Sequence, residues 1–238
     1  MIVMRLSIIL SLLSYSKSVA YNLCVVGAGG GLGKELVYQA SLNRNKTVLA
    51  LSGGNKRLTI PCRTNSFNDI NSQPLYFSPK VRTSSYWLDI SKHKYDHIVF
   101  TTGAKPFKDD YSDRLMVKFF QDFYKDCKSI TLISADGVQE TLKDSSMGIK
   151  VMNDWYLKDV YRSKNKQENI LKDNFPNIKK FIYRPPALSY GKTILKSVSR
   201  MDLAASILDN IENLDNPNKI GKLDYMYIVD KCKIKKFK

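Results

Sequence analysis

Residues 27–33 read Gly-Ala-Gly-Gly-Gly-Leu-Gly, and this glycine-rich turn decides how the rest of the chain is interpreted. An apolar run, residues 22–26, precedes the turn, and apolar residues at helical spacing follow it. A strand, a glycine turn and a helix in this order are typical of a dinucleotide-binding unit. Side chains in the turn would block a pyrophosphate, and the free N–H groups at the helix start attract it. Two spacings fit, 27-29-32 and 27-30-33, so we predict that the cofactor contacts Gly27, Gly29, Gly30, Gly31, Leu32 and Gly33.

Short apolar runs alternate with amphipathic segments along the rest of the chain. The predicted strands lie at residues 22–26, 47–51, 86–88, 97–101, 129–134, 180–183 and 225–229. The predicted helices begin at Gly33 and at residues 113, 153 and 201. This alternation predicts an α/β fold with a doubly wound parallel sheet. No stretch is left for a separate substrate domain, so we expect a single domain over residues 21–230.

The end of the second predicted strand bears on the choice between NAD and NADP. An Asp or Glu at that point would bond the ribose hydroxyls of NAD, whereas basic residues would neutralise the 2′-phosphate of NADP. Residues 51–57 read LSGGNKR, which contains no acid and ends in Lys56 and Arg57. This pattern favours NADP(H). NAD(H) remains the alternative if both cations are ordinary exposed loop charges.

The order of the motifs resembles the atypical branch of the short-chain dehydrogenase/reductase family, the NAD(P)-binding, NmrA-like and biliverdin-reductase-B-like Rossmann proteins. The resemblance extends over residues 22–230. It rests on short motifs in the family's order: Gly27, Gly30 and Gly33; Asp89-Ile90; Thr102-Gly103-Ala104; Ser134; Lys164, Glu168 and Arg184-Pro185; and Ser199-Arg200-Met201-Asp202-Leu203-Ala204. The resemblance implies a Rossmann fold, with Asp89 and Ile90 beside the adenine. It also places Thr102, Gly103, Ala104 and Lys164 in the cofactor site.

The sequence departs from the family at the catalytic helix. Active reductases of the broader family use a Tyr four residues before the Lys, but Val160 occupies that position. Tyr161 lies three residues before Lys164, and an i, i+3 pair still shares a helix face. We therefore take Lys164, Tyr161 and Ser134 as the candidate catalytic residues. The alternative is that Tyr161 only packs or bonds locally while Lys164 holds the cofactor.

Two functions follow from this departure. The first is an NADP(H)-dependent oxidoreductase that transfers hydride to a small carbonyl, quinone, flavin or similar substrate, since such a substrate can take its proton from solvent. The second is a non-catalytic NAD(P)-binding assembly or regulatory protein, in a plastid for example, with protein or RNA as partner. A sugar-nucleotide epimerase is the weakest alternative, because the chain lacks both the Tyr and the length for it.

The composition is that of a globular chain with a strong basic surplus. The chain has 238 residues, 38 Lys and Arg against 22 Asp and Glu, and a formal net charge of +16. The lysines are spread over nearly every segment from Lys34 onward, which favours solvated faces over a nucleic-acid site. The four cysteines form no CxxC pair and no cluster with His, so we expect no metal. The sequence leaves a monomer or a homodimer open.

The two ends of the chain differ from the part between them. Residues 1–20 carry one early cation, Arg5, an apolar stretch and a final Ser-Val-Ala, which is the layout of a secretory signal peptide. The stretch is too short to span a membrane, so we expect no transmembrane span in the mature chain. We expect entry into the secretory pathway, with onward delivery to a complex plastid as one destination; an added N-terminal element of a cytoplasmic protein is the alternative. Residues 231–238 form a basic tail.

Overall fold

The computed structural model describes residues 20–42, 46–52, 58, 81–84, 94–103, 112–123, 127–139, 141–144, 147–174, 177–190, 197–215 and 225–228. The predicted signal segment, apart from Ala20, and the basic tail lie outside these ranges. So do Lys56, Arg57, Asp89, Ile90 and Ala104.

Parallel strands form the centre of the molecule. The strands of the main sheet are β1 (Tyr21–Val26), β2 (Lys46–Leu51), β3 (Val81–Ser84), β4 (His97–Phe100), β5 (Ser129–Ile133), β6 (Lys179–Tyr183) and β9 (Tyr225–Ile228). Within the described residues they pair in the order β3-β2-β1-β4-β5-β6-β9, and every pairing is parallel. Two further short strands, β7 (Leu188–Ser189) and β8 (Val198–Ser199), pair in parallel outside this sheet.

Helices cover both faces of the sheet. They are α1 (Gly31–Ser41), α2 (Ser112–Phe123), α3 (Thr141–Asp144), α4 (Met147–Val151), α5 (Lys158–Asn174) and α6 (Arg200–Asp215), with a π-helical turn at Met152–Tyr156 before α5. Among the described residues, no helix combines the length and the apolar character that a membrane crossing requires.

Alternate residues of β1 pack into two hydrophobic cores, one on each face of the sheet. Leu23 and Val25 pack with apolar residues of α1 and α6 on one face. Cys24 and Val26 pack with apolar residues of α2 and α5 on the other. Because both faces of the strand are covered, it is apolar at nearly every position. This continuous apolar run is what allowed the strand to be predicted from the sequence. The predicted fold class, a doubly wound parallel α/β sheet in one domain, is confirmed.

The sequence-based boundaries were least accurate in two places. The third strand of the sheet is at Val81–Ser84, a position not among the predicted strands, and the predicted strand at residues 86–88 lies outside the described residues. The helix predicted from residue 153 is interrupted, because the π-helical turn ends at a bend at Leu157 and α5 begins at Lys158.

The strand order reverses between β1 and β4. The chain runs outward from β1 through β2 to β3, and then returns to add β4, β5 and β6 on the other side. In open α/β sheets, the crevice at the carboxyl ends of the two strands where the order reverses is the usual ligand site. The glycine turn follows β1, and Thr101, Thr102 and Gly103 follow β4. The topology therefore brings both predicted motifs to this crevice.

Candidate functional site

The glycine turn is tightly packed against the sheet and against its own helix. Gly27 has φ +89°, and a Cβ there would lie 2.8 Å from the Thr101 hydroxyl. A Cβ on Gly33 would overlap the carbonyl oxygen of Gly27 and lie 2.8 Å from the Cα of Ala28. Both glycines are therefore required by backbone geometry and close packing.

The start of α1 is open to an anion. Gly30 is its N-cap and offers no side-chain cap, and the first turn contains no acidic residue. The first N–H groups of a helix have no intrahelical acceptor, and the helix dipole adds positive potential there. This arrangement fits the phosphate-binding role predicted for the turn.

The end of β2 closes one side of the turn. The backbone N–H groups of Gly27 and Ala28 both donate to the carbonyl of Leu51, at 3.0 and 2.9 Å. The next residue, Ser52, lies so close that a Cβ on Gly29 would be 2.9 Å from its hydroxyl oxygen. The residues that distinguish NADP from NAD would come directly after Ser52, and Lys56 and Arg57 are among those outside the described ranges.

The end of β4 joins the glycine turn to α5. The Thr101 hydroxyl lies in hydrogen-bonding position to donate to the carbonyls of Val26 and Gly27, at 3.0 and 3.1 Å. Two residues on, Gly103 lies against the end of Lys164, since a Cβ there would be 3.9 Å from Nζ. Thr101 and Gly103 thus connect the turn to the predicted catalytic lysine.

The Lys164 ammonium is buried and bonded to three protein acceptors. Nζ donates to the carbonyl oxygens of Thr102 at 2.5 Å and Ile133 at 2.8 Å, and to the Gln167 side-chain oxygen at 3.1 Å. An ammonium has three protons to donate. Lys164 therefore ties the ends of β4 and β5 to α5, and a further acceptor such as a ribose hydroxyl would have to share or displace one of these partners.

Two buried hydroxyls belong to Thr102, whose carbonyl Lys164 bonds, and to Ser134, which follows Ile133. The Oγ1 of Thr102 and the Oγ of Ser134 have no hydrogen-bond partner among the described residues. Ser134 is held at the end of β5 by its backbone N–H, which donates to the carbonyl of Tyr183 at 2.7 Å. A buried hydroxyl without a partner is costly, so these two groups mark a place where a ligand would be bonded.

Tyr161 lies on the buried side of α5. Burial raises the pKa of its phenol, and the nearby Asp136 carboxylate raises it further. The hydroxyl therefore stays protonated at neutral pH, and this environment does not create the lowered pKa that a Lys-activated tyrosine requires. Tyr156, one and a half turns earlier, is exposed.

The Glu168 predicted from the family motif has a structural partner. Its carboxylate forms a bidentate ion pair with the Arg184 guanidinium, through Nε at 2.9 Å and Nη2 at 2.5 Å. Both side chains are almost fully buried. The pair joins α5 to the end of β6, and this explains why the motif combines a helix residue with the residue before Pro185.

Sequence reasoning missed three residues around the site: Ser52, Thr101 and Gln167. Gln167 had a usable signal, because it lies three residues after Lys164 on the same helix. Ser52 and Thr101 had none, since their proximity to the turn depends on how β2 and β4 flank β1. Among the described residues, no group of three or more His, Cys, Asp or Glu is placed to hold a metal ion.

Comparison with known proteins identifies the fold. No protein-family model matches the sequence, and no curated protein matches it significantly. Solved structures do match. The oxidoreductase YlbE from Lactococcus lactis is 19% identical with a TM-score of 0.56, and the match covers 81% of this chain and 86% of that one. This chain has a Rossmann fold.

Two other solved structures match this Rossmann protein to a similar degree. ChuY, an anaerobilin reductase from Escherichia coli O157:H7, is 18% identical with a TM-score of 0.54, over 82% of this chain and 91% of that one. A wide-type short-chain dehydrogenase/reductase from Veillonella parvula in complex with NADP is 13% identical with a TM-score of 0.53, over 84% and 89%. The Rossmann fold that the family resemblance implies is confirmed.

Proposed function

We propose that this Rossmann protein binds NADP(H) at the Gly27–Gly33 turn and transfers hydride to a small carbonyl, quinone, flavin or similar conjugated substrate. The observation that carries the proposal is the crevice at the ends of β1, β4 and β5. The uncapped start of α1 and the two unpartnered hydroxyls of Thr102 and Ser134 lie along that crevice.

The residues present fit a nicotinamide dinucleotide. The glycine turn would receive the diphosphate at the start of α1, because Gly29 and Gly30 are exposed there and carry no side chain. Gly103 and the hydroxyl of Thr102 would lie beside the nicotinamide half, next to Lys164. When bound, the nicotinamide supplies or accepts the hydride.

The chain's own contribution to the reaction is to position the substrate. The Ser134 hydroxyl is free to donate a hydrogen bond to a substrate oxygen or ring nitrogen as negative charge develops there. Lys164 fixes the ends of β4 and β5, which carry Thr102 and Ser134. With Val160 in place of the usual Tyr, we propose that the product proton comes from solvent, with Tyr161 as a weaker candidate donor.

The preference for NADP(H) rests on Lys56 and Arg57 together with the absence of an acid after β2. A thermal-shift titration with NADPH and NADH tests it, since a ligand that binds only the folded state raises the melting temperature with its concentration. We expect the larger shift with NADPH. The double variant Lys56→Gln/Arg57→Gln should lose this difference and keep the NADH shift. Equal shifts in the wild type would overturn the preference, and no shift with either would overturn cofactor binding.

Turnover is tested separately by following the oxidation of NADPH by absorbance with a panel of quinones, flavins and aldehydes. We expect oxidation with at least one of them, weakened in the Ser134→Ala variant. Variant Ser41→Ala is the matched control, because the Ser41 hydroxyl donates within the last turn of α1, at 2.6 Å to the carbonyl of Tyr38. Binding without oxidation across the panel would count against a reductase.

A non-catalytic assembly or regulatory protein is the second candidate. An exposed apolar stripe favours it: Met147, Val151 and Trp155 are spaced four apart and are 77%, 58% and 78% exposed. Solvent-exposed side chains of this size at helical spacing often contact a partner protein. Under this alternative, NADPH binds without turnover and changes how much of a partner co-purifies. A reductase activity abolished by Ser134→Ala would argue against it.

A further inference from the structure

The side chain of Arg200 lies directly against the start of α1. A Cβ on Gly31, the first residue of α1, would be 2.7 Å from the Arg200 Nε and 3.0 Å from its Cδ. Glycine at position 31 therefore leaves the space that the arginine occupies. This gives Gly31 a different role from Gly27 and Gly33, whose missing side chains serve the backbone packing of the turn.

The local sequence fixes this position of Arg200. The Ser199 hydroxyl caps α6 by accepting from the backbone N–H groups of Met201 at 3.1 Å and Asp202 at 3.4 Å. Ser189 pairs with Ser199 in the short β7–β8 ladder, so the next residues, Tyr190 and Arg200, come side by side. The guanidinium carbon lies 4.1 Å from the centre of the Tyr190 ring, in cation–π contact.

Arg200 also has an unused donor. Its Nη1 is buried and has no hydrogen-bond partner among the described residues. No acidic residue occurs in the first turn of α1, and Gly30 supplies no cap. A cation beside the positive end of a helix dipole is unfavourable by itself, and an anion placed between them would be attracted to both.

The geometry points to Arg200 as a residue that binds the diphosphate of the dinucleotide from the α6 side, opposite the N–H groups of α1. This inference rests on the proposed function, because it presupposes that a dinucleotide occupies the glycine turn. The assignment adds a side-chain cation to a site where the glycine motif by itself supplies only backbone N–H donors. It also assigns a role to the Ser-Arg-x-Asp motif at residues 199–202: Ser199 caps the helix so that Arg200 is directed to the phosphates.

Fluorescence titrations of NADPH and NADH against the wild type and Arg200→Gln test the assignment. We expect the variant to weaken both cofactors by about tenfold or more, since a charge-assisted bond is lost. Adenosine, which has no phosphate, should bind the two proteins equally. Arg162→Gln is the matched control, because Arg162 is an exposed arginine on α5 paired with Asp159 at 2.9 Å, and it should leave both affinities unchanged.

The outcomes separate this inference from the proposed function. If the wild type binds neither cofactor, the proposed function fails. If the wild type binds and Arg200→Gln binds equally well, the Arg200 assignment alone is wrong. Loss confined to NADPH would place Arg200 at the 2′-phosphate and overturn the diphosphate assignment. Melting temperatures of the two proteins without ligand check that Arg200→Gln is folded, and a folded variant whose affinity falls less steeply with salt than the wild type supports a phosphate contact.

Discussion

The ammonium of Lys164, on α5, donates a 2.5 Å hydrogen bond to the carbonyl oxygen of Thr102, at the end of β4. The same ammonium reaches Ile133, the last residue of β5. One side chain therefore holds together the ends of two neighbouring strands at the crevice where the cofactor is proposed to bind. Lys164, a candidate catalytic residue from its motif, therefore also has a structural role. Experiments can separate the structural role from the catalytic one.

Replacing Lys164 with Met should destabilise the protein by about 3 kcal/mol, because buried carbonyls that lose their donor each carry a desolvation penalty. Urea unfolding measures this change. Lys166→Met on the same helix is the control, since the Lys166 side chain is exposed and its Nζ makes a long contact of 3.6 Å with the Asp113 carboxylate. It should cost less than about 1 kcal/mol. Equal stability of the two variants would show that Lys164 does not fasten the strands.

Replacing Glu168 with Gln should cost about 3 kcal/mol or more, because it removes the carboxylate charge that forms a bidentate pair with the buried Arg184 guanidinium. Both groups are at most 1% exposed. Asp159→Asn removes the acid of the exposed pair with Arg162 on the same helix, and less than about 1 kcal/mol should be lost. Denaturation midpoints of the two variants that agree within error would contradict this account of the pair.

Replacing Gly33 with Ala should destabilise the fold by about 2 kcal/mol through overpacking, and should weaken cofactor binding with it. The added Cβ would meet backbone atoms of Gly27 and Ala28, which cannot move without shifting the turn. Gly30→Ala is the comparison, because its Cβ would lie 3.3 Å from the Gly27 carbonyl oxygen, so a small adjustment suffices. If Gly30→Ala has a lower melting temperature than Gly33→Ala, this account of the turn is wrong.

The free energy of unfolding should fall as the pH rises above about 9. Burial raises the pKa of the Cys24 thiol above its ordinary value of 9.0 and that of the Tyr183 phenol above 10.0. Between the unfolded and the folded pKa values, the folded protein keeps these protons while the unfolded chain releases them. The stability that the two neutral groups contribute is therefore complete below the unfolded pKa values and is lost as the pH increases. Each group contributes up to about 1.4 kcal/mol per pH unit. Urea unfolding at pH 8 to 11 measures the slope, and Cys24→Ala should reduce it; an unchanged slope in that variant would be inconsistent with this assignment.

Replacing Tyr161 with Phe should leave most of any reductase activity in place, because the proposed substrates take their proton from solvent. The raised pKa of the phenol keeps it protonated near neutral pH, so no titration of Tyr161 should appear in the kcat profile there. Tyr156→Phe, at the exposed tyrosine, is the control. A loss of about a hundredfold confined to Tyr161→Phe would instead identify it as the general acid.

Some features of the site could be read from single short motifs. The glycine pattern at residues 27–33 was sufficient to predict the turn, because the tight turn and the helix start that follow β1 require glycine at fixed spacing. Ser134 and Lys164 were also predicted from motifs, and in the structure Lys164 bonds the carbonyl of Ile133, the residue before Ser134. Lys56, Arg57, Asp89, Ile90 and Ala104 stay predictions, since they lie outside the described residues.

The sequence by itself determined the α/β class, the doubly wound arrangement and the position of the glycine turn. These depend on local periodicity and on backbone conformations that few residues allow. Only the tertiary structure decided that Glu168 pairs with Arg184, that Lys164 bonds the carbonyls of Thr102 and Ile133, and that Arg200 lies against Gly31. The physical reason is that such contacts join residues 16 to 169 positions apart, and their geometry depends on strand order and helix packing rather than on spacing along the chain.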